Sequence, residues 1–396
     1  MSNSSGKTLF VLQSGGPTTV INSTLAGIIE ECREHYQVNQ VYGSLCGFEG
    51  LLTGGIVKLG SLGKEATELL KNTPGSILGG SRKEMKTEDY RAVLDALAKY
   101  NAGYLLCIGG NGTMAACSKI HRMVRENTSG LEVIGIPKTV DNDIIGTDHT
   151  PGFASAAVYV AMAVKAQAAD LKSMRTFEQV RVIETMGRRA GWIAASSALA
   201  RQGKGDAPHL VFVPECPMNT DKFIKDVENI YSRHGWALVV VSESIKDEKG
   251  EYLGQTPFSD ITGDGLHAVR SGASEFLARL VGARTGLRAR AQDLGMLQRS
   301  FGSCASPRDR DESIFLGREA VRLALGGGGG LMVTLNHPGN KGGMFGTIVL
   351  ERVAGEEKKL PPDFYDDGKN DVTDEFIEWI KPLLGYTFPE YLVLNE

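Results

Sequence analysis

Short apolar runs alternate along this chain with longer stretches whose apolar positions recur at helical spacing. Residues 7–12, Lys-Thr-Leu-Phe-Val-Leu, read as a strand that ends in Ser14-Gly15-Gly16-Pro17. The segment that follows sets Ile21, Leu25, Ile28 and Ile29 on one stripe and predicts a helix. Further strands are predicted at 41–42, 104–108, 131–136, 181–184, 209–213, 237–241 and 331–335. Between them, 87–99 and 155–171 are rich in Ala and Leu at helical spacing. Such alternation predicts a parallel, doubly wound α/β architecture. Strands apolar on both sides fit a sheet covered by helices on both faces. The five glycines 326–330 predict a flexible turn between a helix ending near Leu325 and the strand at 331. From Glu356 onward the chain is more polar and predicts an appended helix and tail packed on the core.

The 396 residues suffice for two or three packed units. With 42% hydrophobic and 23% charged residues the composition is that of a soluble globular protein. A net charge of -4 without a long basic run argues against a nucleic-acid partner. The six cysteines show no Cys-x-x-Cys spacing and no nearby His at zinc-finger distance, and Cys107 reads as a small buried hydrophobe. Without a disulfide pattern or a signal peptide, a cytoplasmic location is expected. The apolar stretches fall short of the roughly 18–20 residues that span a bilayer, so no membrane partner is expected.

Three glycine-bearing turns stand at predicted strand ends: Ser14-Gly15-Gly16, Gly109-Gly110-Asn111-Gly112-Thr113 and Met186-Gly187-Arg188. Ligands of open α/β sheets bind at the carboxyl ends of the strands. There glycine lets the backbone approach a phosphate, and the amides of the next helix point at its oxygens. Neither a dinucleotide Gly-x-Gly-x-x-Gly pattern nor a Walker-type Gly-Lys-Ser/Thr occurs. After the strand at 131–136 comes Pro137-Lys138-Thr139-Val140-Asp141-Asn142-Asp143. Two carboxylates two residues apart beside a buried strand are costly unless they hold a cation or move a proton. Phosphoryl transfer needs both services. The competing reading is an Asx turn or helix cap, which the adjoining Lys138 and glycine turns disfavour.

These segments occur in a fixed order with Glu184-Thr185-Met186-Gly187-Arg188, Val213-Pro214-Glu215 and Leu294-Gly295-Met296-Leu297-Gln298-Arg299. In that order, from about residue 8 to residue 335, the chain resembles the 6-phosphofructokinase superfamily, which has ATP-dependent and pyrophosphate-dependent members. The resemblance implies two Rossmann-like, doubly wound domains of the phosphofructokinase fold with a C-terminal extension. The donor domain would comprise 1–152 with about 299–345, the sugar-phosphate domain 153–298, and the extension 346–396. It implies phosphoryl transfer to the 1-hydroxyl of fructose 6-phosphate, a step of glycolysis, with Mg²⁺. Asp141 would be the base, with Lys138, Thr139 and Arg188 as further catalytic groups. Gly15, Gly16, Arg82, Gly110, Asn111, Gly112 and Thr113 would face the donor, and Asn111 and Asp141 the metal. Thr139, Asp141, Asp143, Met186, Gly187, Arg188 and Glu243 would line the sugar site, where Arg290 and Arg299 would clamp the 6-phosphate. Family members form homo-oligomers, so a homodimer or homotetramer is expected, with Arg290 the residue to suspect of crossing between subunits.

The donor markers of the resemblance are split. Pyrophosphate users usually carry Asp where this chain has Gly112, and an open glycine admits ATP. Lys138 resembles the pyrophosphate users, and Asn111 replaces an Asp that helps hold Mg²⁺ in ATP enzymes. A block acts directly against a ligand whereas an added Lys tolerates either donor, so ATP is expected and pyrophosphate is the alternative. A non-catalytic paralogue, favoured only by Asn111, and a different sugar phosphate such as sedoheptulose 7-phosphate are more remote alternatives.

Overall fold

In the computed structural model, which describes residues 6–127, 130–254, 272–340 and 342–392, the first apolar run becomes β1 (Lys7–Gln13). It lies inside a seven-strand sheet with β2 (Val38–Ser44), β3 (Ile56–Lys58), β4 (Ala102–Gly109) and β5 (Glu132–Pro137). A second sheet uses β6 (Val180–Thr185), β7 (Leu210–Phe212), β8 (Ala237–Ser242) and β9 (Ala289–Asp293). The chain then returns to the first sheet with β10 (Leu331–Leu335) and β11 (Phe345–Val349).

The larger sheet runs β11-β10-β5-β4-β1-β2-β3, parallel except for its two edge strands. Its apolar strands do not alternate with polar residues because both faces are covered. Leu9 and Val11 enter one core with Ile21, Leu25 and Ile28 of the helix Ile21–Arg33. Phe10 and Leu12 enter the other with Val93 and Leu97 of the helix Thr87–Lys99 and Met114 of the helix Asn111–Asn127. The smaller sheet is wholly parallel in the order β7-β8-β6-β9. Val180, Val182, Val239 and Val241 face Phe223 and Val227 of the helix Thr220–His234 and Leu277 of the helix Ala273–Thr285.

The chain forms two compact units, residues 1–155 with 299–358 and residues 156–298 with 359–396. Residues 346–396, expected as one appended extension, are therefore shared between the units. In the second unit the helix Asp374–Leu384 gathers Phe376 and Trp379 around Trp192 and Phe364. Tyr365 Oη donates to Val211 O at 2.9 Å, and Arg201 meets Asp371 at 2.8 Å. The glycine turn at 326–330, expected to be flexible, is instead pinned. Gly329 N–H donates to Glu132 Oε2 at 2.6 Å, Gly330 N–H donates to Val133 O at 2.9 Å, and a Cβ on Gly330 would fall 2.4 Å from the His121 ring.

Two helices of the first unit, Ile21–Arg33 and Pro307–Leu325, touch through glycines. A Cβ on Gly27 would fall 2.1 Å from Ile314 O, and one on Gly317 would fall 2.2 Å from Thr24 O. Helix propensity alone predicts that Gly27→Ala stabilises by about 1 kcal/mol. Backbone contact reverses the sign, because neither helix can move without opening the core. We expect Gly27→Ala to destabilise by about 2 kcal/mol in urea unfolding; a rise in the midpoint would refute this packing.

Candidate active site

At the carboxyl end of β1 the backbone turns through Gly15 at φ +75, a conformation that favours glycine. Gly15 N–H donates to Ser81 O at 3.1 Å, which ties the loop bearing exposed Arg82 to this turn. Gly80 lies so close that a Cβ there would sit 2.3 Å from Gly15 O. Buried Lys138, just past β5, donates from Nζ to Gly16 O at 2.5 Å. A guanidinium nitrogen of Arg299 lies 2.9 Å from where a Gly16 Cβ would be. Arg299, expected at a sugar 6-phosphate, is thus packed against the Gly16 turn of the first unit.

The helix Asn111–Asn127 begins just after β4 ends at Gly109, so its first amides face the strand ends. Asn111 Nδ2 donates to Asp143 Oδ2 at 3.1 Å and to Asp143 O at 3.2 Å. Among the described residues its Oδ1 is buried without a hydrogen-bond partner. Among the same residues a Cβ on Gly112 would meet nothing within 4 Å, which leaves open space beside the helix start. Thr113 N–H donates to Gly110 O at 2.9 Å, and Lys138 N–H donates to Gly109 O at 2.9 Å, which joins this turn to the acidic loop. In that loop Asp141 N–H donates to Thr139 Oγ1 at 3.2 Å, and Thr150 Oγ1 donates to Thr139 O at 2.8 Å. Asn142, between the two aspartates, has φ +53.

Burial pushes the Lys138 ammonium down to about 8, helped by Arg299 and Arg82 and opposed by Asp141 and Asp143. Burial also pushes the Asp143 carboxyl up to about 7, with Asp141 and Glu357 adding to the rise. Both shifts mark groups held where their charge is under-solvated, the usual cost of an organised polar site. Lys358, pushed down to about 7 by burial against the pull of Asp148 and Asp143, donates from Nζ into the same loop. Sequence reasoning missed it, for it stands in a polar stretch with no motif.

The second unit has its own group. Met186 N–H donates to Gln298 Oε1 at 3.0 Å, and Gly187 at φ +124 accepts from Ser242 Oγ at 2.5 Å. Arg188 Nε stands 3.9 Å from Glu243 Oε1, and Glu243 N–H donates to Thr185 O at 2.9 Å. Arg290 is not part of this group. It lies opposite Arg181 in the β6–β9 register, with Nε 3.5 Å from Glu178 Oε2. Four residues of strand, ~13 Å, separate Arg181 from Thr185 at the strand end.

The phosphofructokinase family model matches residues 8–324. The chain belongs to the phosphofructokinase family. It is 34% identical over 391 residues to a pyrophosphate--fructose 6-phosphate 1-phosphotransferase of Rhodospirillum rubrum, covering 98% of this chain and 96% of that one. It is 32% identical to ATP-dependent 6-phosphofructokinase 3 of Bacteroides thetaiotaomicron, covering 89% and 94%. A solved pyrophosphate-dependent phosphofructokinase of Nitrosospira multiformis superposes with a TM-score of 0.87 at 30% identity, covering 98% and 94%. The relatives of this phosphofructokinase chain thus include proteins named for pyrophosphate and proteins named for ATP.

An acid whose folded pKa of about 7 exceeds the usual 3.8 holds its proton more tightly in the fold. Its charge therefore weakens the fold increasingly as pH rises from about 4 to 7. We expect Asp143→Asn to raise the ligand-free Tm by about 3 °C at pH 8, discounted for partial exposure. The gain should vanish near pH 4; a Tm difference independent of pH would contradict the assignment.

Proposed function

We propose that this enzyme transfers a phosphoryl group to the 1-hydroxyl of fructose 6-phosphate, giving fructose 1,6-bisphosphate, with ATP as donor. The observation that carries the reaction is the pair of carboxylates, Asp141 and Asp143, beside buried Lys138, whose ammonium also feels the charges of Arg82 and Arg299. Asp141 accepts the hydroxyl proton as that oxygen attacks the terminal phosphorus and the bond to the leaving phosphate oxygen breaks. Lys138 and Arg82 meet the charge that builds on the transferring and leaving groups. Thr139 and the amides near Gly110, Gly112 and Thr113 orient the donor, and Arg188 and Glu243 orient the sugar.

A Mg²⁺ ion fits these residues. Asn111 Oδ1 is a buried acceptor without a partner, and Asp141 and Asp143 are close in sequence. Among the described residues no cluster of three or more His, Cys, Asp or Glu forms a dedicated cage. That suits an ion held mainly by phosphate oxygens and one or two protein ligands. When bound it neutralises phosphate charge. Asn111 and Asp141 are its proposed ligands. Arg290, 61% exposed and remote from the Met186–Arg188 turn along its strand, is proposed to serve the sugar-phosphate site of a second copy in a homodimer or homotetramer.

ATP rests on the open space at Gly112, where an added Cβ would meet no atom of the described residues within 4 Å. Buried Lys138 favours the second reading, pyrophosphate, because an ammonium there suits a small, highly charged leaving group. Initial rates with each donor at saturating fructose 6-phosphate decide between them. Turnover with ATP and Mg²⁺ is expected, and turnover with pyrophosphate alone would overturn the donor. Gly112→Asp should lower kcat/KM for ATP about 100-fold through like-charge repulsion while sparing pyrophosphate. Unchanged ATP kinetics in that variant would refute the role of the open glycine.

A further inference from the structure

We propose that Lys358, which lies beyond the segment the family model matches, is a positioning residue that holds the Asp141–Asp143 loop in its reactive shape. The inference rests on the reading of those aspartates as phosphoryl-transfer groups. Lys358 Nζ donates to Asn142 Oδ1 at 3.1 Å, Thr147 O at 3.0 Å and Asp148 O at 2.9 Å. An ammonium has three protons, and three loop oxygens accept them. Its backbone N–H donates to Asp143 O at 2.8 Å. One residue thus ties both ends of the irregular stretch 142–148 and the main chain of Asp143 itself.

The loop needs such an outside hold. Asn142 keeps a left-handed backbone at φ +53, which is disfavoured for a non-glycine residue and persists where the surroundings hold it. Lys358 Nζ donates to Asn142 Oδ1, which fixes the orientation of the amide and so of the residue between the two aspartates. The three Nζ acceptors are two carbonyls and an amide oxygen, so the contact works by directed hydrogen bonds. Without the ammonium these oxygens would be left enclosed and unsatisfied, and the loop would relax toward water.

The test compares the full-length protein with Lys358→Ala and Lys358→Gln. If Lys358 positions the loop, kcat falls about 100-fold in the Ala variant while KM for fructose 6-phosphate stays within about twofold. Propylammonium, but not tetramethylammonium at equal ionic strength, restores at least about tenfold of the loss, because only the primary amine can donate to the three oxygens. Hydrogen exchange in a peptide covering 139–149 quickens at least about tenfold, with β1 and β4 unchanged. An unchanged kcat, or a loss with neither amine rescue nor faster loop exchange, overturns the proposal. If the Ala variant does not fold, Lys358→Gln is held to the same kcat and exchange criteria. Should the wild-type protein fail to turn over either donor, the functional reading falls, while the exchange measurement still decides whether Lys358 holds the loop.

Discussion

The ammonium of Lys138 is enclosed beside a glycine turn, donating to Gly16 O at 2.5 Å, with Asp141 and Asp143 drawing on its charge. The loops around it are arranged about that buried cation. Carboxylates two residues apart would repel one another strongly in a poorly solvated loop. Lys138 offsets part of that repulsion, and the charges of Arg82 and Arg299 act on the same ammonium. Burial is the main cause of both the raised Asp143 carboxyl and the depressed Lys138 ammonium.

The sheet explains why the groups meet. β1, β4 and β5 are neighbouring parallel strands, so their carboxyl ends lie at one edge. The Gly15 turn, the start of the helix at Asn111 and the Lys138–Asp143 loop therefore stand side by side, although about 120 residues separate the first from the last. Hydrogen bonds from Lys138 N–H to Gly109 O and from Asn111 Nδ2 to Asp143 knit the latter two together. Rigid strands fix the loops at one end, and outside contacts such as those of Lys358 fix them at the other.

Much of this was legible in the residues. The helix Thr87–Lys99 and the cores of β1, β4 and β5 follow directly from apolar pattern, because buried central strands carry the strongest signal. The strands of the two larger sheets that pattern missed, β3, β9 and β11, are all sheet edges, partly exposed and mixed in polarity. The two antiparallel edges also modify the parallel sheet that alternation implied. The glycine turns and the acidic loop were readable because phosphate chemistry restricts residue types. Lys358 was not readable, since a single lysine in a polar segment acquires meaning only from the three oxygens around it. Gly27 and Gly317 were hidden for the same reason: helical glycine looks unfavourable until the neighbouring backbone is seen.

In the proposed reaction Asp141 removes the proton from the attacking hydroxyl while the surrounding cations stabilise the phosphoryl group. Steady-state kinetics of Asp141→Ser, alongside calorimetric binding of fructose 6-phosphate, test it most directly. The account predicts a fall in kcat of about 1,000-fold or more with sugar-phosphate affinity kept within a few-fold. A folded Asp141→Ser variant that retains wild-type kcat would contradict it.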